Sequence, residues 1–438
     1  MHDTVKTVAL YTLGCKVNQY DAQAMLERFV AAGYQPRPFG EAVDVNVVVT
    51  CVVTAVGEQK SRQMLHRVRR EQPDSQLVAA GCLAQKDADK LKDLGARVIL
   101  GSQHRDQVVD LLHRAMAENT QISAVEDVRS VPYEELHISQ QEGRTRAVMK
   151  IQEGCDRFCA YCIIPHVRGG IRSRTPDAIR QEASRLVAAG YQEIVLTGIH
   201  LTSYGKDLDG PLLIDGIKAA ADSGVKRLRL GSLEPVVATQ DFVNELAGIP
   251  AICPQFHLSL QSGSDTVLKR MRRRYTAQEY LASARRLQAV FPGCALTTDV
   301  LVGFPGETAA EFEETFAFCR EVGFAKMHIF PFSKRTGTLA ARMPDQLPRA
   351  TKAERARRMA ALDGELSTRY REGMAGSVQP VLFETLTEDG QGAEGQTPQA
   401  ISVEVAGAQP GSIALVRLTG LRRHGMTGVL EETANNPA

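Results

Sequence analysis

Short apolar runs separated by longer segments of helical period organise most of the chain. Thr7–Leu10, Val45–Thr50 and Leu77–Ala80 are apolar runs of strand length, and Asp21–Ala32 carries apolar residues at helical spacing before stopping at Gly33. Together they predict an open α/β domain over residues 1–120. Residues 121–144 are mixed and polar and read as a linker. The strand–helix alternation then resumes, with strands predicted at Arg146–Ile151, Glu193–Thr197, Arg227–Leu230, Phe256–Leu260, Leu296–Val302 and Met327–Pro331. The clearest intervening helix has Thr175 as N-cap, Pro176 at its first position and Gly190 after its last turn. Six such units over 145–374 make an incomplete form of the eight-unit β/α barrel, a (β/α)6 wall, with 350–372 as one charged helix at its end. From 375 to 434 the pattern changes to short alternating runs of Val, Thr and Gly, the size of a small antiparallel β-barrel. The predicted fold class is therefore α/β in three parts.

Composition narrows the picture. With 43% apolar and 24% charged residues the chain has an ordinary globular balance. Its 52 basic residues against 51 acidic ones leave no overall field, so any nucleic-acid binding must come from local patches. No apolar run approaches the ~18 residues of a membrane helix, so no membrane partner is expected. The first residues, Met-His-Asp-Thr-Val-Lys, carry no charged-then-apolar leader. Nine cysteines, an odd number without export signals, point to a reducing cytoplasm rather than a disulfide framework.

Six of the cysteines form two sets of three. Cys155, Cys159 and Cys162 are close together in G-C-D-R-F-C-A-Y-C-I-I-P, just after the first barrel strand. Thiolates at this spacing reach three corners of a compact iron–sulfur cluster and leave the fourth iron open. Two other readings compete. Positions i, i+4 and i+7 also share one helix face, and His166 offers a fourth ligand for zinc. Gly154, Asp156, Arg157 and Pro165 suit a loop better than a helix. Cys15, Cys51 and Cys82 are dispersed, each directly after a predicted strand. The carboxyl ends of parallel strands share one edge of a sheet, so these three converge if the strands pair. Taken singly, each is more often a core thiol. Cys253, Cys294 and Cys319 read as structural.

C-D-R-F-C-A-Y-C resembles the cysteine motif of radical S-adenosylmethionine enzymes, with Tyr161 as its aromatic residue. T-L-G-C-K-V-N-Q-Y-D, T-C-V-V-T and G-C-L-A-Q resemble the N-terminal domain of the methylthiotransferases within that group. The likeness continues through C-I-I-P-H-V-R-G-G-I-R-S-R, E-I-V-L-T-G-I-H, H-L-S-L-Q-S-G-S-D and T-T-D-V-L-V-G-F-P-G-E-T. It implies two 4Fe–4S clusters, one on each cysteine triplet, and S-adenosylmethionine as cofactor. In the family, the open iron of the barrel cluster binds S-adenosylmethionine, whose cleavage yields a 5′-deoxyadenosyl radical, and the second cluster takes part in supplying sulfur. The tail resembles the TRAM barrel with which the family holds RNA. T-L-G-C-K-V-N, L-T-G-I-H and F-S-K-R-T-G-T look most like the bacterial branch that methylthiolates C2 of N6-threonylcarbamoyladenosine, next to the anticodon of tRNA. A branch acting on N6-isopentenyladenosine is the alternative within the family, and a non-catalytic zinc-containing RNA-binding protein is the alternative outside it.

Strand ends are the expected cofactor contacts: Thr197, Gly198, Ser232, Glu234, Gln261, Val302 and Gly303. The alternative for these positions is an ordinary turn or capping role. The run Arg270, Arg272, Arg273, Arg274 beside Tyr275, and Arg422 with Arg423 in the tail, are the expected contacts to the tRNA anticodon stem-loop. The electron donor and the sulfur source leave no motif, and a monomer is compatible with the sequence.

Overall fold

The computed structural model describes residues 6–129, 131–140 and 145–431. Residues 1–5, 130, 141–144 and 432–438, including part of the expected linker and the last positions of the expected tail domain, lie outside it.

The first part is a fully parallel six-stranded sheet. Its strands are β1 (Thr7–Thr12), β2 (Gln35–Arg37), β3 (Val45–Thr50), β4 (Gln76–Gly81), β5 (Val98–Leu100) and β6 (Ile122–Ala124), in the order β2-β1-β3-β4-β5-β6. Helices α1 (Lys16–Ala31), α2 (Ala55–Glu71), α3 (Cys82–Lys86), α4 (Ala88–Asp93) and α5 (Val108–Ala117) connect them. Helices cover both faces, which explains the unbroken apolar run of β3. Val45, Val47 and Val49 enter one core and Val48 the other. The strand order reverses between β1 and β3. In open parallel sheets such a reversal opens a crevice at the carboxyl ends of those strands. The sheet also runs past residue 120, because β6 pairs with β5. The segment beyond it is docked rather than free, with Val128, Leu136 and Ile138 buried.

The second part is the incomplete barrel. Its elements are β7 (Arg146–Glu153), α6 (Ile164–Arg168), β8 (Arg172–Ser173), α7 (Pro176–Ala188), β9 (Glu193–Gly198), α8 (Leu213–Ala221), β10 (Arg227–Leu230), α9 (Gln240–Ala247), β11 (Gln255–His257), α10 (Asp265–Arg270), α11 (Ala277–Val290), β12 (Ala295–Val302), α12 (Ala309–Val322), β13 (Lys326–Pro331) and α13 (Arg349–Met374). β7, β9 and β10 pair in parallel, as do β11, β12 and β13. Backbone bonds from Leu233 N to His257 O (2.8 Å) and from Ser259 N to Leu233 O (2.9 Å) join the two groups. Among the described residues β7 and β13 do not pair, and the short antiparallel β8 takes the free edge of β7. Side chains alternate along β7. Ala147, Met149 and Ile151 join the core under the outer helices, whereas Lys150, on the opposite face, reaches Asp21 of α1.

The third part is a closed barrel of β14 (Val378–Leu386), β15 (Gly392–Gln396), β16 (Ser402–Ala406), β17 (Ile413–Arg422) and β18 (Gly425–Leu430). It docks on the amino ends of β7, β9 and β10. Arg146 Nε donates to Glu384 (2.6 Å), Arg227 to the carbonyls of Gln396 (2.8 Å) and Thr397 (2.9 Å), and Arg229 to that of Pro398 (2.9 Å). Buried Glu193 balances these cations, 2.7 Å from Arg227 and 2.9 Å from Arg229. No helix among the described residues is long and apolar enough to cross a membrane.

Candidate active site

The tight cysteine set sits on a loop at the carboxyl end of β7, with no helix between Glu153 and Ile164. Three backbone bonds fix that loop. Cys155 N donates to Gly169 O (2.9 Å), Ala160 N to Met271 O (2.9 Å), and Ala340 N to Ala160 O (2.7 Å). Gly154 is required at its start. Its φ is +73°, and a Cβ there would sit 1.7 Å from the Gly170 carbonyl oxygen. Cys159 is buried, and Cys155 and Cys162 are half-buried. Burial pushes the Cys155 thiol up to about 11 and Cys162 to about 12. Such thiols stay protonated in water, and a metal that displaces the proton makes them ligands.

Cys15, Cys51 and Cys82 follow β1, β3 and β4 and meet at the carboxyl edge of the first sheet. Cys82 lies within electrostatic reach of Cys15 and of Cys51, and Cys15 within reach of Cys51. Gly14, with φ +102°, lets the first turn approach the second, since a Cβ there would lie 2.9 Å from Cys51 Sγ. Cys51 and Cys82 are buried, whereas Cys15 is exposed. Although Cys15 as a residue is open to the cavity, the protein atoms crowded around its thiol desolvate it and raise it, and burial pushes Cys51 up to about 11.

Among the described residues no three His, Cys, Asp or Glu side chains are grouped to hold a single metal ion. His166 instead packs edge-on against Phe158, with centroids 5.6 Å apart. A cubane differs from a single ion in placing its thiolates on separate irons. Each triplet is one loop or sheet edge of three thiols. Around the tight set, two buried polar atoms have no hydrogen-bond partner among the described residues: Asp156 Oδ1 and Arg157 Nε. Buried groups left so are expected where a polar ligand binds. The residues therefore fit both a cubane and a polar cofactor.

Glu234 sits at the centre of that polar wall, 2.9 Å from Arg157, 3.0 Å from Arg273 and 3.2 Å from His200. Burial opposes its charge, but His200, Arg273 and Arg157 prevail and bring its carboxyl down to about 2. Arg273 also donates to Cys159 Sγ (3.4 Å) and lies over the Tyr275 ring, 4.9 Å from its centroid. Tyr161 lies beside Arg273, Cys159 and Cys162.

A cavity of ≈ 840 Å³ joins the three parts of the chain. Cys15 and Lys16 line it from the first sheet, Thr197, Gly198 and Ser232 from the barrel strand ends, and Arg423 from the third part. The other expected cofactor residues lie elsewhere. Gln261 adopts φ +71° at the bridge to Val300, a strained backbone for a non-glycine residue. Val302 is buried in the barrel core, and the Gly303 N–H is taken by Glu307 (2.9 Å). Among the arginines expected on RNA, Arg270 is held by both oxygens of Glu311 at 2.8 Å, and Arg422 pairs with Glu404. The side chain of Arg273 is 6% exposed and turned to the cysteine loop, away from a solvated face. Arg272, Arg274 and Arg423 are exposed.

The sequence reading missed a buried ionic cluster beneath both triplets. Asp21 of α1 binds Lys150 of β7 (2.6 Å), Arg168 of α6 (3.2 Å) and Arg105. Glu153 meets Arg168 (3.1 Å), and Glu134 meets Arg105 (2.8 Å). Burial alone would raise the Asp21 carboxyl, but Arg105, Lys150 and Arg168 hold it below the usual carboxylate range. Removing one partner from such a cluster leaves an uncompensated buried charge.

Residues 149–319 match the radical SAM superfamily, and residues 7–101 the uncharacterized protein family UPF0004. A protein of Bacillus subtilis named threonylcarbamoyladenosine tRNA methylthiotransferase MtaB is 42% identical over 86% of this chain and 85% of its own. One of the same name from Thermotoga maritima is 35% identical over 96% of both. A tRNA-2-methylthio-N(6)-dimethylallyladenosine synthase of Pelotomaculum thermopropionicum is 32% identical over 97% of this chain and 98% of its own. Among solved structures, the radical S-adenosylmethionine methyltransferase TsrM of Kitasatospora setae shares the fold, with TM-score 0.56 at 14% identity over 77% of this chain and 74% of that one. Radical SAM methylthiotransferases use S-adenosylmethionine and 4Fe–4S clusters. The two cysteine triplets, the polar wall beside one of them and relatives of this identity across nearly the whole chain lead to one conclusion: the chain belongs to the radical SAM tRNA methylthiotransferase family.

Proposed function

We propose that this chain methylthiolates C2 of N6-threonylcarbamoyladenosine beside the anticodon of tRNA, in the cytoplasm. The observation that carries the choice of substrate is the charge of the cavity at Cys15. Lys16, Arg146, Arg229, Lys326, Arg371 and Arg423 line it against one carboxylate, Asp299. Lys16 makes no ion pair or side-chain hydrogen bond among the described residues. A threonylcarbamoyl group brings a carboxylate to such a cavity, whereas an isopentenyl group brings only apolar surface.

In this reading Cys155, Cys159 and Cys162 would hold one 4Fe–4S cluster, and Cys15, Cys51 and Cys82 the other. Bound S-adenosylmethionine supplies the radical that breaks the C2–H bond, and a methyl group for the sulfur. Glu234, fixed as an anion by Arg157, Arg273 and the His200 ring, orients the cofactor's polar groups. Gly198 and Ser232 leave room at the strand ends, and Tyr161 with Arg273 closes the cysteine loop against water. Lys16 holds the substrate carboxylate next to Cys15. Arg272, Arg274 and Arg423 contact the RNA backbone, so affinity falls with salt.

The test is nucleoside analysis after anaerobic reaction of the iron- and sulfide-loaded protein with anticodon stem-loops carrying either modification. A 2-methylthio product on the threonylcarbamoyl RNA is expected. Product on the isopentenyl RNA alone would overturn the substrate assignment, and stoichiometric zinc without sulfide in the purified protein would overturn the enzyme chemistry.

A further inference from the structure

Helix α6 begins two residues after Cys162 and ends at Arg168. Its last side chain leaves the barrel and is fully buried beneath the other cysteine triplet. Arg168 Nε donates to Cys82 Sγ at 3.2 Å. One terminal nitrogen is shared between both Glu153 oxygens (3.1 Å) and Asp21 (3.2 Å), and the other donates to Asn18 Oδ1. The guanidinium faces Cys15 and Cys51 as well as Cys82. The helix that carries it is clamped both from the first part of the chain and from β8. Ser102 Oγ donates to Val167 O (2.8 Å), and Arg172 donates to Arg168 O (2.7 Å). Every nitrogen of the side chain thus donates to a cysteine sulfur or to a group that fixes its direction.

We propose that Arg168 is a positioning residue that raises the reduction potential of the iron–sulfur cluster on Cys15, Cys51 and Cys82 and ties that cluster to the barrel's cysteine loop. The inference rests on the two-cluster reading above and adds a role for a residue of the barrel toward the cluster of the other part. The physical cause is charge. A cluster gains negative charge on reduction, so a cationic N–H on a ligand sulfur stabilises the reduced form more than the oxidised one. Glu153 and Asp21 partly offset the guanidinium, so they set how much of its charge the cluster feels.

The experiment uses the full chain with Cys155, Cys159 and Cys162 replaced by alanine, so that only the N-terminal cluster is assembled. Iron and sulfide are added anaerobically, and the midpoint is read by EPR-monitored redox titration. Arg168→Gln is expected to lower the midpoint and Arg168→Lys to restore part of the loss. Glu153→Gln, a near-isosteric change, is expected to move the midpoint the opposite way, because the guanidinium is then less compensated. A purely structural role would change iron content and melting temperature but leave the midpoint of the iron that remains. Unchanged midpoints in Arg168→Gln and Glu153→Gln at parental iron content would overturn the proposal. If Arg168→Gln holds no cluster, Glu153→Gln decides alone. A parent protein that binds no cluster at all would instead remove the two-cluster reading, and this proposal with it.

Discussion

Arg273 donates a guanidinium N–H to Cys159 Sγ across 3.4 Å, although it belongs to a run of arginines that reads as an RNA-binding surface. The same side chain holds Glu234. Arg273→Gln is therefore expected to cut S-adenosylmethionine cleavage by about tenfold or more, the worth of a charge-assisted hydrogen bond. RNA affinity should stay within about twofold. Measuring 5′-deoxyadenosine release and stem-loop anisotropy on the same variant checks both halves. A loss of RNA binding with intact cleavage would return Arg273 to the surface role.

On the proposed function, the two triplets divide the work. Cys159→Ala should abolish cleavage of S-adenosylmethionine, while Cys51→Ala should retain cleavage and lose methylthio product. Chromatography of 5′-deoxyadenosine and of the digested RNA separates the two. Equal cleavage by both variants would refute the division.

Lys16 supplies a test of substrate choice that needs no loaded cluster. Lys16→Gln is expected to weaken binding of a threonylcarbamoyl stem-loop by about tenfold and to leave the unmodified stem-loop unchanged, with Lys16→Arg close to the parent. Lys16 is exposed to the cavity, so folding should not interfere. Fluorescence anisotropy on the metal-free protein reads the result, and equal affinities for Lys16→Gln and parent would remove Lys16 from recognition.

Much of the scaffold was legible because burial on both faces writes apolar runs into parallel strands. Val45–Thr50 and Arg227–Leu230 begin and end as their patterns predict. Charged residues were not legible in the same way. Asp21, Arg105, Lys150, Glu153 and Arg168 look like surface positions one at a time, and only pairing across sequence separations of up to 147 residues makes their burial tolerable. The arginine run splits for a local reason. Arg272 adopts φ +59° just after α10, so its neighbours leave one helical face and Arg270 and Arg273 turn to different partners.

Glu193 makes docking of the third part pH-dependent. Burial opposes its charge, but Arg229, Arg227 and Arg146 hold its carboxyl below the ordinary 4.5. Its contribution is fully present above that value and is lost as pH falls below it toward the depressed folded-state value. Glu193→Gln leaves buried arginines uncompensated and should cost about 3–5 kcal/mol at neutral pH. Thermal melts from pH 3 to 7 should show the gap between parent and variant closing on the acid side. A constant gap would exclude the linkage.

Gly154→Ala should damage the tight triplet without touching any cysteine. The methyl group meets the Gly170 carbonyl, and the backbone is left-handed there, a combination that costs more than about 1 kcal/mol. Iron analysis should show the barrel's cluster lost and the other retained. Full iron content would show that the loop gives way.

The ionic cluster under the triplets draws its charges from α1, the loop before α5, the connecting segment, β7 and α6. Five segments locked by mutual charge cannot slide past one another without stranding an ion. The wall that brings Cys15 to the barrel strand ends is then a fixed fitting, and no hinge is available there to close around a substrate. With the proposed anticodon loop as substrate, movement falls to the RNA. A base stacked in an anticodon loop has to swing out of its stack to reach such a cavity, and the protein's share of the energy is a mould shaped in advance for the base it will receive.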